Sequence, residues 1–201
     1  YIKVYNRIKE GFGGANQIVM AIEVERGTIF NDATLKLVHE ATQGMDNLPS
    51  VNHNLVASLT HRTARKVYLS AEGNFMSEPY YDPLKGGGTV AQLEQMKKDV
   101  IANPTIYGLL VSPDLKAALI KAQLNEADLD YVKTFGELQK VRESLARPGH
   151  RIHVTGNPVL TGWVYTYLNQ ILGILAWTLA LLATLLIVYF RRLYGIALPL
   201  L

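Results

Sequence analysis

The apolar positions of the chain follow three rhythms. Ile18, Met20, Ile22 and Val24 alternate with the acidic side chains of Glu23 and Glu25 over Ile18–Glu25, the two-residue period of a half-buried strand. Asn31-Asp32 then predicts a capped helix with Leu35, Val38, Ala41 and Met45 on one face, stopped by Pro49. Val51–Leu59 reads as a second strand and Lys66–Ala71 as a short third one. Glu78–Gly88 is a loop by composition, and Thr89 with Gln92 forms a capping box that opens a helix carrying Leu93, Met96 and Val100. Asn103-Pro104 stops that helix. Ile106–Val111 and Leu115–Leu124 predict a hairpin turning at Ser112-Pro113-Asp114. Asn125 is the expected cap of a third helix, with Glu126 and Asp128 near its start and Leu129, Val132, Phe135, Leu138, Val141 and Leu145 as its apolar stripe. Pro148-Gly149 ends it, and His150–Val154 is the last strand.

After Gly156 the periodicity disappears. Ile171–Phe190 is about twenty residues without a charge, the length a helix needs to span a bilayer. Its twelve Leu, Ile, Val and Phe residues sum to about −5 kcal/mol on the insertion scale. Trp163, Tyr165 and Tyr167 before the span, and Tyr189 at its end, are the aromatic residues expected at headgroup level. Arg191 and Arg192 follow at once, whereas Gly156–Gln170 carries no charge, so the basic pair is expected in the cytoplasm and the preceding domain outside. Gly173, Ala176, Ala180 and Thr184 recur at helical spacing and predict a face for close helix packing.

The split explains an otherwise ordinary composition, 49% hydrophobic and 18% charged over 201 residues. The soluble portion is long enough for one domain with a core. The strand and helix order, once the irregular middle is set aside, predicts an α+β fold of ferredoxin-like, split βαβ type with an insertion, followed by a transmembrane helix. Expected boundaries are 1–157 for the extracytoplasmic domain, 158–190 for the helix, and 191–201 for a cytoplasmic loop and the start of another helix. A first residue Tyr1 and an apolar last stretch suggest a piece of a longer polytopic chain.

The net charge of +3 carries no polyanion signature, so no nucleic-acid partner is expected. The chain has no cysteine, which excludes disulfides and thiolate metal sites within it. His150 and His153 lie three apart on a strand and point to opposite faces, and His39, His53 and His61 are dispersed. Gly11–Gly14 and Gly86–Gly88 lack phosphate-loop spacing. Neither catalytic residues, metal ligands, cofactors nor a proton relay are expected in this stretch, and the chain does not read as an enzyme. Phe75, Met76, Tyr80 and Tyr81, in the irregular insertion, are the candidate contacts for a hydrophobic substrate, with cover of a core edge as the competing reading.

Three stretches in order resemble one family: Phe12–Val19 leading to Ile29–Leu35, Val100–Pro104 with Gly108–Ser112, and Val154–Leu160 leading to the apolar helix and Arg191-Arg192. They are similar to the resistance–nodulation–division transporters, in the hydrophobe/amphiphile-exporter or mycobacterial-large-protein-like branch. The resemblance implies the first porter domain and second transmembrane helix of a proton-driven exporter of lipid, sterol- or hopanoid-like or drug-like molecules. It implies residence in the bacterial inner membrane with the domain in the periplasm. Membrane lipid, amphipathic cargo and the remainder of the same chain are the implied partners, with a homo-oligomer and periplasmic proteins beyond them. The alternative is a membrane-tethered extracytoplasmic assembly module without transport activity.

Overall fold

The computed structural model describes residues 16–86, 88–125 and 129–190, together with Val4. Gly11–Gly14, Gly87, Glu126, Asp128, Arg191, Arg192 and Leu193–Leu201, all used above, lie outside the described residues. The chain divides into two compact units, Tyr1–Gly162 and Trp163–Leu201.

In the first unit, β1 (Gln17–Val24) is the middle strand of an antiparallel sheet, with β4 (Ala117–Gln123) on one side and β5 (His150–Thr155) on the other. Register follows the two-residue period. Ile18 faces Ala122, Met20 faces Ile120 and Val154, and Ile22 faces Ala118 and Ile152. These side chains share one face, where those of β1 and β4 are fully buried. Slipping any strand by one residue would turn this set outward, so burial holds the pairing. The opposite face carries Glu23 bonded to His153 and Glu25 bonded to Arg151, each at 3.2 Å. Such solvated pairs are worth at most about 1 kcal/mol each, against about 1.5–3 kcal/mol for each large apolar side chain buried on the inner face.

Helices α1 (Asp32–Asp46) and α3 (Tyr131–Ser144) cover the buried face. Asn31 caps α1, its side-chain oxygen accepting from the Thr34 amide at 2.8 Å. Leu35, Val38, Ala41 and Met45 are fully buried, the face expected from their spacing. The two helices approach closely at Gly44, where a Cβ would stand 2.7 Å from Val141 Cγ1.

Beyond β4, segment 51–57 pairs with it only at two isolated bridges, Val51–Leu124 and Ala57–Lys121, interrupted by a 3-10 turn at His53–Leu55. Counting it as a fourth strand gives the antiparallel order β5–β1–β4–(51–57). That is the split βαβ arrangement, with its second strand reduced to two contacts. Ile106–Val111 is not a strand. Three amides, of Leu109, Leu110 and Val111, return to the Ile106 carbonyl, and Gly108 adopts φ +79°. The third helix also starts later than Asn125. The Asn125 amide donates to the Ser50 carbonyl, so the chain is still paired there, and Asp130 caps the helix through the Lys133 amide at 3.0 Å. Val132, expected in the stripe, is half exposed in the first turn.

The insertion contains a second, two-stranded sheet, β2 (Arg65–Leu69) with β3 (Phe75–Pro79), and then α2 (Val90–Ala102). The Thr89–Gln92 capping box is present, and Val100 is the buried residue of α2. The last helix, α4, spans Asn157–Phe190.

At the start of α4 stands Gly156, with φ +132° and the Gln17 carbonyl packed where a Cβ would be. Gly156→Ala is expected to destabilise the domain by about 3 kcal/mol or more, combining overlap and backbone strain. Gly136→Ala, in the α3 interior with nothing within 4 Å of the added carbon, is expected to stabilise by about 0.5–1 kcal/mol. Thermal unfolding of the two variants in the intact protein checks this pair.

Candidate functional site

Four features carry candidate function, and the first is the joint between β5 and α4. Asn16 is buried just before β1, and its backbone carbonyl accepts from the Leu124 amide at 2.8 Å. Its side-chain oxygen accepts from Asn157 Nδ2 at 2.9 Å and from the Tyr131 hydroxyl at 3.5 Å. The starts of β1, α3 and α4 thus meet at one amide. The Gly156 carbonyl accepts from the amides of Val159 and Leu160, both at 3.1 Å, which begins the helix. Pro158 is buried in the first turn, where a missing N–H costs nothing. Gly162 is buried one turn later, where a Cβ would come within 2.7 Å of the Tyr131 carbonyl. The Val154–Leu160 stretch that carried the resemblance is this joint.

The second feature is the insertion, and here the four candidate contacts separate. Phe75 and Met76 lie on β3 and are exposed. Tyr80 and Tyr81 are buried in the core cluster instead. The Tyr80 hydroxyl accepts from Asn103 Nδ2 at 3.0 Å, and the Tyr81 ring lies 5.3 Å from that of His39 on α1. Burial, reinforced by the carboxylates of Asp32, Glu40 and Asp82, raises the Tyr81 hydroxyl above its ordinary value. These two tyrosines fasten the insertion to α1 and α2. Both side chains lie in the core cluster, where the chain between Pro79 and Asp82 turns inward. A cleft of about 630 Å³ opens between β2, β3 and α2, lined among others by Lys66, Tyr68, Glu78 and Asp99.

The third feature was not legible beforehand. Thr42, Ser58 and Thr60 bring three buried hydroxyls together, Thr42 Oγ1 lying 2.8 Å from Ser58 and 3.1 Å from Thr60. His61 is buried beside them, its Nδ1 2.7 Å from the Thr63 hydroxyl. Burial lowers the His61 pKa, Asp46 opposes the shift and Arg62 adds to it. The polar run Ser58–Thr63, at and beyond the end of the strand expected over Val51–Leu59, was the available signal. His150 and His153 do point to opposite faces, His150 Nε2 meeting the Thr34 hydroxyl at 2.9 Å and His153 meeting Glu23. Among the described residues no group of three His, Cys, Asp or Glu side chains could hold a metal ion.

The fourth feature is the apolar part of α4. Gln170–Tyr189 is long and apolar enough to cross a membrane. Thr178 and Thr184 donate to the carbonyls of Ile174 and Ala180, both at 2.8 Å, so neither hydroxyl needs an outside partner. The Trp163 and Tyr167 rings lie 5.0 Å apart one turn from each other, beside Tyr165. Gly173, Ala176, Ala180 and Thr184 fall on one side of the helix by their spacing. Trp177 lies on that side too, four residues after Gly173 and three before Ala180, a residue the sequence reading passed over.

Domain, joint and apolar helix are recognised together: residues 3–201 match the family model described as the MMPL family. The chain belongs to the MMPL family. No curated protein matches it individually. MMPL proteins are membrane transporters of the resistance–nodulation–division type, and the mixed α/β domain followed by an apolar helix agrees with a porter-like domain and its membrane segment.

Burial of His61 predicts how the stability of this MMPL domain responds to pH. Its folded-state pKa lies below the unfolded value of 6.5, so the unfolded chain binds the extra proton first as pH falls. The His61 contribution to stability is therefore complete above pH 6.5 and is lost as pH drops from there toward the lowered folded value. Melting temperature is expected to fall between pH 7 and 5.5, and His61→Gln to flatten that slope, as read by thermal unfolding of the intact protein across the range.

Proposed function

We propose that this chain is part of a proton-motive-force-driven exporter of hydrophobic or amphipathic molecules, with the α+β domain as an extracytoplasmic porter domain and Gln170–Tyr189 crossing the inner membrane. The observation that carries the reading is a single family match running unbroken through domain and apolar helix, residues 3–201.

Several features support it. The start of β1 and the start of α4 lie side by side, Asn157 Nδ2 donating to Asn16 Oδ1 at 2.9 Å. The strand that opens the described fold and the helix that leaves it therefore share one end of the sheet, an arrangement compatible with a domain carried between membrane segments. The uncharged approach to the span and the arginine pair after it favour a cytoplasmic Arg191 and an outer domain. Trp177 sits well inside the span, away from the headgroup level that indoles prefer. An indole N–H in hydrocarbon lacks an acceptor, so the Gly173–Thr184 side of the helix is better matched to neighbouring helices or cargo than to lipid. In this reading the domain moves as a wall of the export path, and its joint at Gly156 passes that motion to the bundle.

The test is transport by the intact protein in proteoliposomes loaded with a fluorescent amphiphile. Efflux is expected to require an imposed pH gradient and to fall at least about tenfold when a protonophore collapses it. Efflux that is insensitive to the gradient, or no movement of any amphiphile by folded protein, would favour the assembly-module reading instead.

A further inference from the structure

The β2–β3 hairpin is inverted with respect to burial. Register puts Lys66, Tyr68, Met76 and Glu78 on one face, and Arg65, Val67, Leu69, Phe75 and Ser77 on the other. The polar face is the one tied to its own domain. Lys66 Nζ lies 3.6 Å from Asp99 on α2 and 3.8 Å from Glu78, and the Tyr68 hydroxyl donates to Glu78 at 2.8 Å. The apolar face is turned to solvent, with Val67 66%, Leu69 62% and Phe75 80% exposed. Two strands alone are marginal in water, and a contiguous exposed apolar face is the mark of an association site.

Charge decides what covers it. Arg65 lies across the apolar face at the base of the hairpin, its guanidinium donating to the Ser77 hydroxyl at 2.9 Å and to the Ser77 carbonyl at 2.6 Å. Glu72 sits in the turn at the other end, where the Ser70 hydroxyl holds its carboxyl below the usual carboxylate range. A lipid surface approached tip-first would meet that carboxylate before any apolar residue. A second hairpin related by a two-fold axis through the face meets the opposite arrangement. Its base lies over this tip and its tip over this base, with the apolar side chains between them. A parallel pairing would instead set Arg65 beside Arg65. We propose that the Val67–Leu69–Phe75 face is a self-association surface on which the same hairpin of a second copy of this chain packs antiparallel, Arg65 of each copy against Glu72 of the other. The proposal is independent of cargo and of proton coupling.

The absence of cysteine from this chain makes the test clean. Val67→Cys and Leu69→Cys, introduced singly into the intact protein in a cysteine-free background and oxidised in native membranes, are expected to give a dimer. Its yield should exceed that of Lys140→Cys on α3 by about tenfold or more. Within the Val67→Cys protein, Glu72→Arg should cut the yield about fivefold, the scale of two exposed ion pairs, and Arg65→Glu with Glu72→Arg should restore it. Yields no higher than the Lys140→Cys control would overturn the proposal, as would a double swap no better than the single one. Capture by a photoreactive group at residue 69 of lipid, of another protein or of a segment within its own polypeptide, rather than of a second copy, would do so as well.

Discussion

The architecture depends on one close approach, that of Gly156 to the Gln17 carbonyl. Within one residue the chain leaves a sheet built for water and enters a helix whose later turns are built for lipid. A side chain at that point would force β5 and β1 apart and with them the register that buries Met20 and Ile22. Because β5 runs antiparallel to β1 and beside it, the end of one strand necessarily lies at the start of the other. The Asn16–Asn157 bond, the Tyr131 hydroxyl and the buried Gly162 then fasten the first turns of α4 to α3 and β1. The split βαβ order thus brings the start of β1 and the start of α4 together at one end of the sheet.

Elements with a strong local signal were legible in the sequence. The alternation of β1, the Asn31 cap of α1 and the Thr89–Gln92 box of α2 each depend on neighbouring residues only. Elements defined by distant partners were not. Val51–Leu59 has strand composition but meets β4 at two points, because the 3-10 turn at His53–Leu55 breaks the pleat between them. Ile106–Val111 looks apolar and extended, yet Gly108 lets three amides fold back on one carbonyl. Asn125 and Asp130 are equally good caps by type, and the pairing of Asn125 with Ser50 decides between them.

The sequence placed the four candidate aromatic and apolar contacts in one irregular segment without separating the exposed pair from the buried pair. Phe75-Met76 and Tyr80-Tyr81 lie five positions apart in the irregular insertion, and nothing local separates them. Strand pairing does: β3 ends at Pro79, after which the Tyr80 amide bonds to the Ala64 carbonyl and both tyrosines turn into the core. The meeting of the hydroxyls around Thr42 and the inverted hairpin went unread for the same reason, since each is made by residues that come together only on folding. The membrane helix needed no folding to be found, because twenty residues of uniform apolar character are their own signal.

The whole account turns on which side of a bilayer the two ends of Gln170–Tyr189 occupy. Single cysteines placed at Lys140 in the domain and at Arg192 beyond the span can be challenged in intact spheroplasts with a membrane-impermeant maleimide. The account predicts that Lys140→Cys labels without permeabilisation and Arg192→Cys only after it. Labelling of both positions from outside, or the reverse order, would contradict a helix that crosses the membrane with its domain on the outer face.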